Sequence, residues 1–227
     1  MRTANLSPKS APAVAGLSPL RYSHSHESVL AFERNRVLID LAAQGKRVLE
    51  LGCADGFISR HLVERGCRVV GVEISSEAAG LARQWCKKVV VHDLNDRRWM
   101  DQAGCDFDTV LCGDVLEHLV NPLQTLREIA RLLTPDGRVV MCLPNVAHIR
   151  VRMNLLVGKF DYTPTGILDS THLRFFTQKT ARRLIEEAGY QLISFVPIVG
   201  GGLLTRPLRL FFPNLFAVQM IYAAKRT

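Results

Sequence analysis

The sequence of 227 residues predicts an α/β protein, a mostly parallel sheet with helices on both faces. Three observations carry that expectation. Short apolar runs alternate with amphipathic stretches from Arg47 to Leu143. The runs RVLEL, RVVGVE, KVVVH, FDTVLC and RVVMCL are continuously apolar, as strands covered on both faces are. The first run ends in a glycine-bearing turn, GCADG, that opens a helical pattern, and in such sheets ligands bind beyond the carboxyl ends of the strands.

Taken in order, residues 1–20 mix Ser, Pro, Ala and Gly without hydrophobic period and read as a flexible leader. Residues 21–227 read as one domain. Val29, Leu30, Phe32, Val37, Leu38 and Leu41 recur near a 3.6-residue spacing, so a helix is expected from near Glu27 to just before Gly45. Helices are then expected over 56–65, 76–85 and 122–133, with a short one before FDTVLC. Residues 144–176 break the rhythm with Pro, Gly and aromatic residues and read as an insertion or lid over the ligand edge. A helix over 177–188 ends at Gly189, and YQLISFVP and LFAVQMIYAAK read as two closing strands.

Composition narrows the class. Hydrophobic residues make up 48% of the chain and charged residues 22%, enough apolar matter for one sizeable core and no run long enough to span a bilayer. The N-terminus lacks the apolar core of a secretory signal, so a cytoplasmic protein is expected. Six cysteines without a CxxC pair read as reduced and mostly buried. The formal charge is +8, and its placement matters more: eight Lys or Arg against two acids from Arg138 to Arg183, and no acid after Glu187. Such a surplus draws an anionic partner, although a solvated basic face explains it equally well.

Four pieces carry chemistry. In VLELGCADG, Gly52 and Gly56 let a ligand approach the backbone, but the spacing is not the GxGxxG of dinucleotide folds. Glu50 and Asp55 beside the turn repel a diphosphate and attract a cationic group. Glu73, closing the second strand, can accept from both hydroxyls of a ribose. Asp93 and Leu94 follow the third strand, where the carboxylate suits an amino group and the backbone of Leu94 an adenine ring; a plain turn aspartate is the competing reading. The fourth piece, FDTVLCGDVLEHL, brings Gly113, Asp114, Glu117 and His118 to the same edge.

The order of these pieces resembles the class I S-adenosylmethionine-dependent methyltransferases. The resemblance implies a Rossmann-like sheet of seven strands with the last antiparallel. It also implies that the turn of Gly52, Cys53, Ala54 and Gly56 holds the methionine part of the cofactor, that Glu73 with Ile74 takes the ribose, that Asp93 and Leu94 frame adenine, and that Gly113 and Asp114 border the site. N-terminal segments in that family cover the cofactor, which places Tyr22 over the methionine end, with a capping or surface role as the alternative. More narrowly, VLEHL followed by GILDSTHLRFFT is similar to small methyltransferases found beside bacterial polysaccharide glycosyltransferases and, more distantly, to ubiquinone-pathway O-methyltransferases. Oxygen is therefore the expected acceptor atom and S-adenosylhomocysteine the product.

An alcohol needs its proton removed before it attacks, so histidines near the edge are the candidates. His172 comes first because Asp169, three residues before it, can orient the imidazole as carboxylates do in triads. His118 is second. For each, a purely structural hydrogen bond is the competing reading. Arg150 and Arg152 share a face if IRVR is extended and could hold a phosphate or carboxylate of the acceptor, with Arg174 as a third anion contact or a clamp on a loop carbonyl. No metal is expected, since the HxH of His24 and His26 has no nameable third ligand.

The expected acceptor is a sugar hydroxyl on a glycan, glycolipid or nucleotide-sugar, or another small hydroxylated metabolite, anionic or lipid-linked. The stretch GGGLLTRPLRLFFPNLF, with Arg206 and Arg209, suggests peripheral membrane contact or a homodimer face, while Phe211 and Phe212 packed in the core explain the same letters. RNA or protein as acceptor is disfavoured by the lack of a recognisable RNA-binding module or NPPY-like motif. A catalytically silent cofactor-binding scaffold and a dehydrogenase are the other classes; the retained acidic residues speak against the first and the missing GxGxxG against the second.

Overall fold

The computed structural model describes residues 29–200, 207 and 211–227. Tyr22, His24, His26, Arg206 and Arg209 lie outside them.

The chain opens with α1 (Val29–Ala42) and then runs β1 (Arg47–Leu51), α2 (Phe57–Glu64), β2 (Arg68–Glu73), α3 (Ser76–Ala82), β3 (Lys88–Val91), α4 (Trp99–Ala103) and β4 (Phe107–Gly113). A single 3-10 turn, Leu116–His118, precedes α5 (Pro122–Ile129) and β5 (Leu133–Pro144); α6 (Ile149–Leu156), α7 (Gln178–Glu187), β6 (Tyr190–Val199), α8 (Pro213–Phe216) and β7 (Ala217–Arg226) complete it. The seven strands form one sheet in the order β3-β2-β1-β4-β5-β7-β6. β1 pairs in parallel with β2 and β4, and β7 runs antiparallel to both β5 and β6. The expected fold class and the antiparallel last strand are both found.

Apolar residues from both faces explain the layers. Leu49, Leu51, Val110 and Met141 pack toward α4, α5 and α7 around Trp99, Leu126 and Ile185, while Val48, Leu111 and Val140 pack on the other face against Leu38, Leu62 and Ala82. Both faces of the central strands are thus dry, which is why their sequences do not alternate. Helix ends are set locally: Ser75 caps α3 through Ala78 N, Asn121 caps α5 through Gln124 N, and Thr177 forms a reciprocal capping box with Thr180 at α7. The expected helices over 76–85 and 122–133 stop earlier, because 83–86 and 130–132 close in single turns against the next strand.

The insertion after β5 is pinned at its base. Asn145 is fully buried, its Nδ2 donating to the carbonyls of Ala217 (2.9 Å) and Asn214 (3.2 Å), and it bridges in parallel to Phe176. The IRVR segment is helical rather than extended, so Arg150 and Arg152 point to opposite sides of α6 and do not share a face. The His148 side chain caps that helix, its Nδ1 accepting from Arg150 N at 3.2 Å. All six cysteines are free, and only Cys105 is exposed. Phe211 and Phe212 are 80% and 53% exposed, so core packing does not account for them. Among the described residues no helix is long and apolar enough to cross a membrane.

Candidate active site

The carboxyl ends of β1, β2 and β4 build one edge of the site. After Leu51 the chain turns through Gly52 (φ +67°), Ala54 (φ +45°) and Gly56 (φ +85°). Glycine is needed twice over at Gly52, because a Cβ there would also sit 2.8 Å from Val115 Cγ2. Ala54 holds a left-handed conformation without that freedom, and its N–H donates to Glu73 Oε2 at 2.9 Å. Glu73 Oε1 accepts from Ser75 N at 2.9 Å. One carboxylate therefore fixes both turns while each oxygen keeps a lone pair for a ligand. Ile74 beside it is 67% exposed and offers an apolar face.

Glu50 is buried beneath this turn, where Ser59 donates its hydroxyl to it; Cys86 in turn donates to Ser59 Oγ at 3.1 Å. Burial pushes the Glu50 carboxyl up to about 8, against the Ser59 hydrogen bond that lowers it. At neutral pH the free protein thus holds it largely protonated, which corrects the picture of a standing negative charge: a cationic ligand is what would ionise it. The Cys53 side chain points away, packed so closely on β2 that a Cβ on Gly71 would lie 2.5 Å from its sulfur. Only the backbone of Cys53 belongs to the turn. Asp93 is exposed and accepts from Asn95 N (2.8 Å) and Asn95 Nδ2 (3.0 Å), while Asn95 Oδ1 takes Val120 N (2.9 Å).

Gly113 has ordinary room for a Cβ, with Leu38 Cδ1 at 3.6 Å. Asp114 (φ +54°) accepts from Arg34 of α1 and from Gln219 Nε2 of β7 (2.9 Å). Its carboxylate serves to tie β4 to the first helix and last strand, a role the sequence did not announce. The donor set as a whole, carboxyl groups around a turn of left-handed residues, fits a nucleoside bearing a cationic group and not a dinucleotide diphosphate. Glu73 suits the ribose of S-adenosylmethionine and Glu50 its charged methionine end.

The other edge is assembled from distant segments. Glu117 and His118 sit in the 3-10 turn after β4, and the insertion folds onto it: the Glu117 carbonyl accepts from Leu173 N (2.8 Å) and Arg174 N (3.0 Å). His118 and His172 meet edge to face, ring centroids 4.9 Å apart. His172 Nδ1 lies 3.1 Å from the Ile167 carbonyl, and Asp169 Oδ1 accepts from Thr171 N (2.8 Å) and Thr171 Oγ1 (2.7 Å). The expected Asp169–His172 orientation is therefore not made; the imidazole is set by a main-chain carbonyl and Asp169 organises Thr171. Desolvation, followed by the proximity of His118, lowers the pKa of His172 and keeps the ring neutral. Phe175 stands 6.2 Å from His172, and Phe160 and Tyr162 continue the aromatic row.

Glu117 is the residue the sequence placed at the edge without a role. It is 1% exposed, burial pushes its carboxyl well above the usual range with Asp114 adding to the shift, and neither oxygen has a partner among the described residues. The three candidate anion contacts are dispersed. Arg150 is exposed on α6, Arg152 Nε donates to the Ala147 carbonyl (2.6 Å), and Arg174 donates to the Val120 carbonyl, the loop clamp anticipated as its alternative role.

Residues 22–194 match the family described as a methyltransferase domain. A ubiquinone biosynthesis O-methyltransferase from Aromatoleum aromaticum is 35% identical over 154 residues, 65% of this chain and 64% of its own length. One from Aeromonas salmonicida is 30% identical over 152 residues, 64% of this chain and 63% of its own. The chain spans a little under two thirds of the length of both relatives. Among solved structures, a SAM-dependent methyltransferase from Archaeoglobus fulgidus superposes with a TM-score of 0.65 at 19% identity, covering 87% of this chain and 93% of that one. The magnesium protoporphyrin IX methyltransferase of Synechocystis PCC 6803 with bound SAH gives 0.63 at 18% identity over 91% of each chain. At such identities the structural likeness speaks for the fold alone.

Proposed function

The chain belongs to the methyltransferase-domain family, with S-adenosylmethionine as its methyl donor, and from that premise we propose that it methylates a hydroxyl oxygen of a small acceptor. The observation that carries the choice of oxygen is the pairing of His118 with His172 at the turn that follows β4, beside the buried Glu117. Bound S-adenosylmethionine supplies a methyl group on a positively charged sulfur. The chain's own residues do the rest. Glu73 and the Gly52–Gly56 turn fix the donor, the insertion pinned by Asn145 keeps water from the reacting atoms, and the His118–His172 pair takes charge of the acceptor proton.

The relatives named for ubiquinone biosynthesis support a phenolic acceptor, and the row from His172 through Phe175 to Phe160 and Tyr162 supports an aromatic or apolar body beside the reacting hydroxyl. The same row suits the C–H face of a sugar, so a sugar hydroxyl on a glycan, glycolipid or nucleotide-sugar is the second reading. Met153, Leu155 and Leu156 of α6 are at least half exposed beside Arg150 and Lys159, and a lipid-linked acceptor or an anionic lipid surface is what that tip would meet. The test is transfer of label from methyl-labelled S-adenosylmethionine to a panel of phenols and to extracted glycans and lipid-linked sugars. A base-stable ether on a phenol supports the first reading and one on a sugar the second; label on nitrogen only, or on protein or RNA, sinks the O-methyltransferase proposal.

A further inference from the structure

We propose that Cys53 and Cys86 form a site of reversible oxidation, closed to a disulfide by a small peroxide, and that closing it weakens the grip of the donor turn. Cys53 follows β1 and Cys86 follows α3, yet both sulfurs lie against Gly71 of β2. A side chain begun at Gly71 would place its Cβ 2.5 Å from Cys53 Sγ and 3.4 Å from Cys86 Sγ, so glycine is what gives the two thiols room to meet. They are hydrogen-bonded to each other. With Cys53 2% and Cys86 6% exposed, the pair admits a small oxidant and excludes a bulky one.

Surroundings separate this pair from the other four cysteines. Burial pushes Cys67 and Cys142 upward and Cys112 up to about 12, and the hydrogen bond to Asp106 raises Cys105. Cys86 alone moves down: the hydrogen bond with Cys53 lowers it, burial opposes, and the Ser59 hydroxyl lowers it further. The same bond raises Cys53, which keeps its proton. Cys86 is therefore the attacking sulfur and Cys53 the resolving one. Ser59 also bonds Glu50, so Glu50 and Cys86 are two acids joined through one hydroxyl. When a cationic donor ionises Glu50, the Ser59 hydroxyl must donate to that carboxylate, and Cys86 keeps its proton and donates to Ser59 across 3.1 Å. The ligand-free protein is the oxidisable form.

The step balances with hydrogen peroxide alone. The Cys86 thiolate attacks one peroxide oxygen and the O–O bond breaks. The departing oxygen takes up the proton that the thiol gave to its surroundings and leaves as water, which makes Cys86 a sulfenic acid. The Cys53 sulfur then attacks the Cys86 sulfur, the S–O bond breaks, and a second water leaves with the Cys53 proton. Two thiols and one peroxide thus become one disulfide and two waters, the sulfurs losing the two electrons that the peroxide gains. A sulfur–sulfur bond of about 2.05 Å draws Cys53 toward Cys86. The backbone of Cys53 frames the turn, its N–H donating to the Val72 carbonyl (3.2 Å) and its carbonyl accepting from Gly56 N (2.9 Å), so that pull moves the groups that hold the donor.

The test is treatment of the reduced full-length protein with hydrogen peroxide, read by peptide mass mapping and by calorimetric binding of S-adenosylhomocysteine, beside Cys86→Ala and Cys105→Ser. The expected result is a Cys53–Cys86 crosslink within one chain, an affinity for S-adenosylhomocysteine about 5- to 150-fold lower, the usual coupling between two linked sites, and recovery on adding dithiothreitol. By the same linkage, saturating S-adenosylhomocysteine shifts the thiol–disulfide equilibrium toward the thiols by that factor. Cys105→Ser responds as the wild type does, and the affinity of Cys86→Ala is the same before and after peroxide. Mapping of the wild type needs no variant to fold: peroxide that consumes Cys105 and leaves Cys53 and Cys86 as free thiols overturns the site. A crosslink without change in affinity, or a loss of affinity that persists in Cys86→Ala, overturns its hold on the donor turn.

Discussion

The two edges of this site are built on opposite principles. At the donor edge the carboxylate of Glu73 is satisfied by the backbone of Ala54 and Ser75, and that of Asp93 by Asn95, all within the turns that follow single strands. At the acceptor edge Glu117 has no partner among the described residues for either oxygen, and the imidazoles that flank it come from segments some fifty residues apart in sequence, His118 bonding Thr171 across a separation of 53. The first region has its carboxylates hydrogen-bonded by their own turns before any ligand arrives. The second is held in place by main-chain carbonyls with its functional atoms left over, so its chemistry depends on what binds there.

That contrast predicts that damage to the two edges will separate cleanly. The largest effect is expected from His172→Ala, which lowers turnover by about two to four orders of magnitude, the usual range for losing the group that handles a proton, while donor affinity stays within a few-fold. Single-turnover rates beside calorimetric binding of S-adenosylhomocysteine measure both. Unchanged turnover removes His172 from the chemistry; a parallel loss of donor affinity breaks the division between edges.

Glu73→Ala is the reciprocal experiment. Donor binding should weaken by roughly 1 to 3 kcal/mol, about 5- to 150-fold, because hydrogen bonds to a charged acceptor disappear and the N–H groups of Ala54 and Ser75 lose their partner as well. The rate at saturating donor should change much less. An unaltered dissociation constant places the ribose elsewhere.

Glu50 sharpens the donor side through pH. Its carboxyl is raised from an ordinary 4.5 to about 8 by burial, so the unfolded chain ionises first. Its contribution to the stability of the free protein is therefore present below pH 4.5 and lost as pH rises toward 8. Ligand-free wild type should lose melting temperature across that window relative to Glu50→Gln. A cationic donor reverses the shift, so binding releases a proton and donor affinity falls up to about tenfold for each pH unit below the raised pKa. Calorimetry in two buffers of different ionisation enthalpy reads the proton directly; equal proton release by wild type and Glu50→Gln separates the donor's charge from Glu50.

These differences also explain what was legible in the sequence. Strands β1 and β2 fall on the expected residues because both faces are buried and the apolar runs have definite ends. The place of Glu73 at the close of β2 was legible because it is set by the strand it terminates. The partners of Asp114 were not, because Arg34 and Gln219 reach it from separations of 80 and 105 residues and no local spacing encodes them. The Asp169–His172 pairing failed for the converse reason: three residues suffice for proximity, but the turn they form spends the carboxylate on Thr171 and gives the ring to the Ile167 carbonyl. Arg150 and Arg152 share no face because IRVR, which had to be extended for that, is helical from Ile149 behind the His148 cap.

The smallest effect tests whether the acceptor edge is as self-contained as its hydrogen bonds imply. Thr177 caps α7 one residue after Phe176, the point at which the insertion is clasped to Asn145. Removing the capping hydroxyl in Thr177→Ala costs about 1 kcal/mol, or roughly 2 to 4 °C in melting temperature for a chain of this size. The carbonyls that orient His118 and His172 belong to Thr171 and Ile167, and neither is bonded to α7. Turnover at a temperature well below melting should therefore match the wild type. A fall in turnover without loss of donor binding means that the clasp at Asn145 and Phe176 transmits the position of α7 to the imidazole pair, and the acceptor edge must then be drawn to include the helix behind it.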